Sequence, residues 1–213
     1  MTLYGGGKDF LEFLKNFILI LTRLKKFGIT LNPDKCKINL SEIQGVGYIL
    51  DATGLRFSED KLEGVRIFPL PLTVKKLHSF LGLVNYFKDH VDSSYIEYSH
   101  RLYELLHGDD QKRQIQWTDE LREDFEKLKD LVGKAPKLYF VDDNAECHLN
   151  TDASEYGIGA YLYQRIGGKE VPIQFMTKKL NDTQRRWSVP DKEAFVIFYS
   201  LIEIDISCFI QTM

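Results

Sequence analysis

The stretch "HLNTDASEYGIGAYLYQ", residues 148–164, decides the fold. Apolar and polar residues alternate along it, which is the period of a strand. The alternation breaks around Ser154–Tyr156 and resumes at Gly157-x-Gly159, so two strands are expected, at 147–153 and 157–165. Gly167-Gly168 then turns the chain into a third strand at 170–177. The result is a three-strand antiparallel meander. Asp152 is the odd residue in it. Asp is depleted in strands, and a buried charge must be paired or bind a metal.

Working outward, Ser188-x-x-Asp191 is close to a capping box, and Pro190 suits a first helical turn. The helix that follows carries Ala194, Val196, Ile197, Phe198, Leu201 and Ile202. Before the meander, Thr118 is an N-cap candidate for a helix with Leu121, Phe125, Leu128 and Leu131/Val132 at helical spacing. The polar run "GDDQKRQ", residues 108–114, marks an expected boundary. Upstream of it, Thr73 caps a helix with Leu77, Phe80, Leu81, Val84 and Phe87 on one side, where Gly82 is read as permitting a close helix contact. A second helix, "SHRLYELLHG", ends at Gly108. Earlier still come the joint "FPLPLT", a turn and strand in "DATGLRF", strand-like runs around Cys36–Leu40 and Val46–Leu50, and a helix over 9–27 with Gly28 at its end. The expected class is α/β of the α+β kind.

Of the 213 residues, 44% are apolar and 28% charged, as in ordinary globular proteins. The net charge of −3 excludes a uniformly basic nucleic-acid binder, but the charge is uneven. Residues 1–90 hold 13 Lys/Arg against 9 Asp/Glu, net +4, and residues 91–213 hold 15 against 22, net −7. Cys36, Cys147 and Cys208 form no CxxC pair and read as reduced thiols of a cytoplasmic or nuclear protein. The apolar run Phe17–Leu21 is far short of the ~20 residues a membrane span needs.

An acid on the first meander strand and an acid in the first turns of the next helix can converge at one end of a sheet. Asp152 and Glu193 fit that pattern. Such carboxylates suit magnesium, which takes oxygen ligands, and paired magnesium ions serve phosphodiester hydrolysis. Each also has a plainer reading. Asp152 can be a hydrogen-bonded strand-end acid, and Glu193 an acid favoured by the helix dipole.

The runs "TDASEYGIGAYLYQ" and "VPIQFMTKKLNDTQRRWSVPDKEAFVIFYSL" resemble the ribonuclease H domain of gypsy-type LTR-retrotransposon reverse transcriptases. Upstream, "RLKKFGITLNPDKCKINLSEIQGVGYIL" resembles the end of the polymerase palm with its primer-gripping hairpin, and "LTVKKLHSFLGLVNYFKDHV" resembles the thumb. "IQWTDELREDFEKLKDLVGKAPKLYFVD" resembles the lead-in to the ribonuclease H strands. The resemblance implies a Pol segment divided as palm end 1–57, thumb 58–108 and incomplete ribonuclease H-like domain 109–213. It implies that Asp152 and Glu193 are catalytic metal ligands, with magnesium, or manganese, as cofactor. The implied partner is an RNA–DNA hybrid or primer–template duplex, with other segments of the same polyprotein as further partners and no membrane. Lys25, Lys26, Lys75 and Lys76 are the implied phosphate contacts, with a solvated helix face as their alternative.

The sequence also departs from the family pattern. The Tyr-x-Asp-Asp polymerase turn belongs before the helix at 9–27, where this chain has "MTLYGGGK". The other Asp pairs, Asp109-Asp110 and Asp142-Asp143, lie downstream in loop-like sequence. The family's later ribonuclease H Asp residues fall beyond Met213. Glu203 and Asp205 lie about 15 Å and 18 Å along a straight helix from Glu193, too far to share metals with it. The tail "EIDISCFIQTM" drifts from the family pattern. The expectation is therefore a polyprotein fragment without catalysis by itself. The alternative is a host-retained, non-catalytic binder of nucleic acid or of a protein partner.

Overall fold

The computed structural model describes residues 6–7, 9–33, 36, 38, 40–108 and 110–211, with backbone alone for 205–211. The chain forms two compact units, residues 1–40 and 41–213. In the first, helix α1 spans Phe10–Lys26. The Asp9 side chain accepts from the Glu12 amide at 2.8 Å, and the chain leaves through Gly28 at φ +65°. That left-handed turn is what makes glycine the natural stop signal. The strand expected around Cys36–Leu40 is not seen at described positions 36, 38 and 40, and its remaining residues lie outside the described ones.

The second unit opens with an antiparallel sheet of β1 (Glu42–Gly45), β2 (Tyr48–Asp51), β3 (Gly54–Phe57) and β4 (Leu138–Tyr139), in that order. Val46 was expected inside a strand but sits in the β1–β2 turn at φ 53°, beside Gly47 at 83°. Positive φ at both central residues is what a two-residue hairpin turn requires. The β-branched character of Val46 is thus overridden by ladder geometry.

Helix α2 (Glu59–Arg66) carries only Leu62 and Val65 inward, too short a pattern to register in the sequence. Helix α3 (Val74–Asn85) is capped by Thr73 as expected, and Leu77, Phe80, Leu81, Val84 and the adjoining Phe87 are all buried. Gly82 packs against nothing: a Cβ there meets no atom within 4 Å, so the expected close helix contact is absent. A 3₁₀ turn (Lys88–His90) leads to α4 (Ser94–Glu104), which begins earlier than the sequence suggested. Thr118 caps α5 (Asp119–Gly133) by accepting from the Leu121 amide.

The expected boundary at 108–114 is bonded back onto the "FPLPLT" joint. Val74 donates to the Arg113 carbonyl, Lys75 to that of Gln111, and the Trp117 indole to that of Pro71 at 2.8 Å. Phe125, Leu128 and Val132 of α5 consequently share one core with Phe80, Leu81 and Val84 of α3 and Phe57 of β3.

The meander appears as read: β5 (Cys147–Ala153), β6 (Gly157–Ile166) and β7 (Lys169–Lys179). Gly167 and Gly168 turn at φ 59° and 77°. Asp142 caps its own turn before β5, and the fully buried Gln164 side chain bonds the Asp142 amide and the Asp142 and Ala145 carbonyls. One helical turn, α6 (Asp182–Arg185), has a capping box from Asn181 and Gln184. Helix α7 (Val189–Gln211) then packs on β5 and β6, with Val196 buried among Ile158, Ala160, Leu162 and Met176.

Candidate active site

The ladder fixes where Asp152 points. Asp152 pairs with Gly159 across β5 and β6, so both face the same side of the sheet. Ile158 and Ala160 face the other side, into the core with α7. On the Asp152 side stands the start of α4. Ser93 donates its hydroxyl to Oδ2 of Asp152 at 3.1 Å. The helix comes this close because β6 lacks side chains there. A Cβ on Gly159 would lie 2.4 Å from Cβ of Ser93, and one on Gly157 would lie 2.4 Å from Cδ1 of Ile96. Gly157-x-Gly159 is therefore a seat for a helix. Replacing Gly159 with valine is expected to cost about 1–3 kcal/mol by overpacking and to break the Ser93–Asp152 bond. Equilibrium unfolding measures the cost, and a stability unchanged from wild type would disprove the seat.

Asp152 is exposed, so no burial penalty obliges it to have a partner. The oddity of an acid inside a strand is resolved by its place, one residue from the end of an edge strand. Glu193, the fifth residue of α7, is half-buried. Gly157 pairs with Lys179, so β7 ends beside the β5–β6 turn, at the Asp152 end of the sheet. From there α6 anchors by Arg185, which lies over the Tyr156 ring at 4.8 Å and 3.5 Å from Glu155. Four residues later α7 begins. The topology thus brings the Asp152 strand end and the start of α7 to one end of the sheet, with the Asp152 side chain on the face turned away from α7. The two carboxylates share no hydrogen bond among the described residues, and no group of three or more His, Cys, Asp or Glu there is arranged to hold a metal. Oxygen donors are nonetheless the right chemistry for magnesium.

Lys25 and Lys26 are exposed in the last turn of α1, in the first unit. Lys75 and Lys76 are exposed in the first turn of α3, in the second. The first turn of α3 holds no acid. Two cations at the positive end of a helix run against the dipole preference and make that end attractive to anions. Sequence reading missed Ser93, since a lone serine beside a helix start carries no signal of its partner. It also missed the half-buried Asp51–Lys137 pair at 2.6 Å that ties β2 to the segment before β4. Hydrogen bonds from Lys137 and Thr53 hold the Asp51 carboxyl well below the usual range.

Residues 117–207 match the family model for an RNase H-like domain found in reverse transcriptase. The chain is 28% identical over 203 residues to the retrovirus-related Pol polyprotein from transposon opus of Drosophila melanogaster, covering 92% of this chain and 20% of that protein. It is 29% identical over 191 residues to the Tf2-3 transposon polyprotein of Schizosaccharomyces pombe, covering 89% and 14%. The chain therefore spans a fifth or less of the curated relatives it matches. Its fold is similar to part of the foamy viral protease-reverse transcriptase, solved with an RNA/DNA hybrid (TM-score 0.72, 21% identity, 93% of this chain and 26% of that one). A structure of the same viral enzyme with double-stranded DNA gives a TM-score of 0.70 at 23% identity, over 91% and 40%. Among the described residues no helix is long and apolar enough to cross a membrane.

Proposed function

We propose, from a segment 117–207 that is an RNase H-like domain of the reverse-transcriptase kind with relatives among retrotransposon Pol polyproteins, that this chain is the duplex-holding and ribonuclease H portion of such a polyprotein. The division proposed is palm end to residue 57, thumb to residue 108 and ribonuclease H-like domain thereafter. Its substrate class is the RNA strand of an RNA–DNA hybrid. The observation that carries the reading is Asp152, an exposed carboxylate on an edge strand, at the end of the sheet where the Glu193 helix begins.

Asp152 and Glu193 would hold the divalent metal, magnesium or manganese, that activates water and stabilises the leaving oxygen in this chemistry. The chain's own residues do the rest. Ser93 donates to Oδ2 of Asp152 and so restricts its rotamer. Lys75 and Lys76, at the positive end of α3, attract backbone phosphates without reading sequence. Two carboxylates alone make a weak magnesium site, so this chain tested by itself is expected to bind hybrid without cutting it.

The test is a titration of labelled RNA–DNA hybrid with the 213-residue chain at several salt concentrations. Affinity should fall steeply with salt, and Lys75→Gln with Lys76→Gln should lower the slope by about 2. In a Pol polypeptide that contains this segment, Asp152→Asn should abolish hybrid hydrolysis in magnesium. Binding that ignores salt, or hydrolysis that survives Asp152→Asn, would refute the reading.

A further inference from the structure

Between α3, α4 and β7, on the sheet face away from α7, lies a cavity of about 220 Å³. That is below the ~300 Å³ typical of pockets for drug-sized ligands, yet ample for a small polyatomic ion. Its walls are rich in donors. Lys88 comes from the 3₁₀ turn, Lys179 from the end of β7, Asn85 from the end of α3, and Tyr95 and Tyr103 from α4, with the His100 ring beside them. No Asp or Glu lines it. Neither Lys88 nor Lys179 forms an ion pair among the described residues, although ion pairs are common elsewhere on this surface.

Two polar lining groups are buried: the Tyr95 hydroxyl, which lies beside that of Tyr103, and Nδ1 of His100, which has no hydrogen-bond partner. Tyr95 is 5% exposed and His100 7%. A buried polar atom without a partner has lost its bond to water and gained none, so it calls for a ligand or solvent. His100 gives its Nε2–H to Glu104 at 3.3 Å and stacks on Tyr156, so in the neutral ring that burial favours Nδ1 is an acceptor, which calls for a donor such as solvent rather than for an anion.

We infer that this cavity is a phosphate-binding site, in which Lys88 and Lys179 supply charge while Tyr95, Tyr103 and Asn85 donate hydrogen bonds. Phosphate fits because it is compact, multiply charged and accepts from many donors at once. The inference does not depend on nuclease chemistry. The phosphate can be a free anion or belong to a nucleic-acid backbone.

The experiment is calorimetric titration of the 213-residue chain with inorganic phosphate against chloride at matched ionic strength. Saturable binding of phosphate is expected, weakened at least tenfold in the Lys88→Gln/Lys179→Gln double variant. Tyr95→Phe, which keeps the ring and removes only the hydroxyl, should also weaken binding. Labelled duplex then separates the sources. A parallel loss of duplex affinity in the double variant assigns the site to a backbone phosphate, and unchanged duplex affinity assigns it to a free anion. Phosphate binding no tighter than chloride, or a folded double variant that binds phosphate like wild type, overturns the site.

Discussion

Replacing Phe125 with alanine is expected to destabilise the 41–213 unit by about 3–5 kcal/mol, the usual cost of removing a buried aromatic ring. Phe125 is fully buried. Its ring meets Phe80 of α3 at 4.6 Å and Trp117 at 5.7 Å, so it joins the helix before the meander to the helices of the preceding segment. The cavity left would be lined by α3 and α5, two elements with little freedom to collapse. Urea unfolding followed by far-ultraviolet circular dichroism and by tryptophan fluorescence should show both signals shifting together. A loss below ~1 kcal/mol would mean that α5 is not built into that core.

The second large effect is a loss of stability on acidification through His90. The ring is 5% exposed, packs on Phe57 at 4.3 Å and Tyr48 at 5.7 Å, and neither nitrogen has a hydrogen-bond partner. Burial pushes its pKa down to about 4. The unfolded chain takes up that proton near pH 6.5, and the folded one only near pH 4. The unfolded state therefore binds more protons in this window, and stability falls as pH drops from ~6.5 to ~4, by up to about 3 kcal/mol. His100, lowered mainly by its burial, adds in the same direction. Asp89 acts oppositely, because burial raises its carboxyl and the folded state takes its proton first. Stability curves for wild type and His90→Phe, each with and without Asp89→Asn, separate these. The His90→Phe curve should be flatter between pH 6.5 and 4, and an equally steep one would contradict the assignment.

The meander and the amphipathic helices were legible because their signals are local. Alternation over 147–179, the paired glycines at 167–168 and the caps at Thr73, Thr118 and Ser188 each specify a few φ/ψ choices through neighbours in sequence. Val46 in the hairpin turn, the short helices α2 and α6 and the early start of α4 were not legible, because ladder register or too few inward residues set them.

For the site, the sequence by itself determined which residues could carry the chemistry. Asp152 and Glu193 stand out as acids on a strand and on a helix start, and the pattern around them carries the family resemblance. Only the tertiary structure decided what surrounds them. It seats α4 on Gly157 and Gly159, puts the Ser93 hydroxyl on Asp152, welds residues 108–117 back onto 71–75, and gathers Lys88, Tyr95, His100 and Lys179 around one cavity. These pairings span tens of residues and rest on the shape of packed surfaces, and no periodicity or short motif encodes which distant surface a helix will meet.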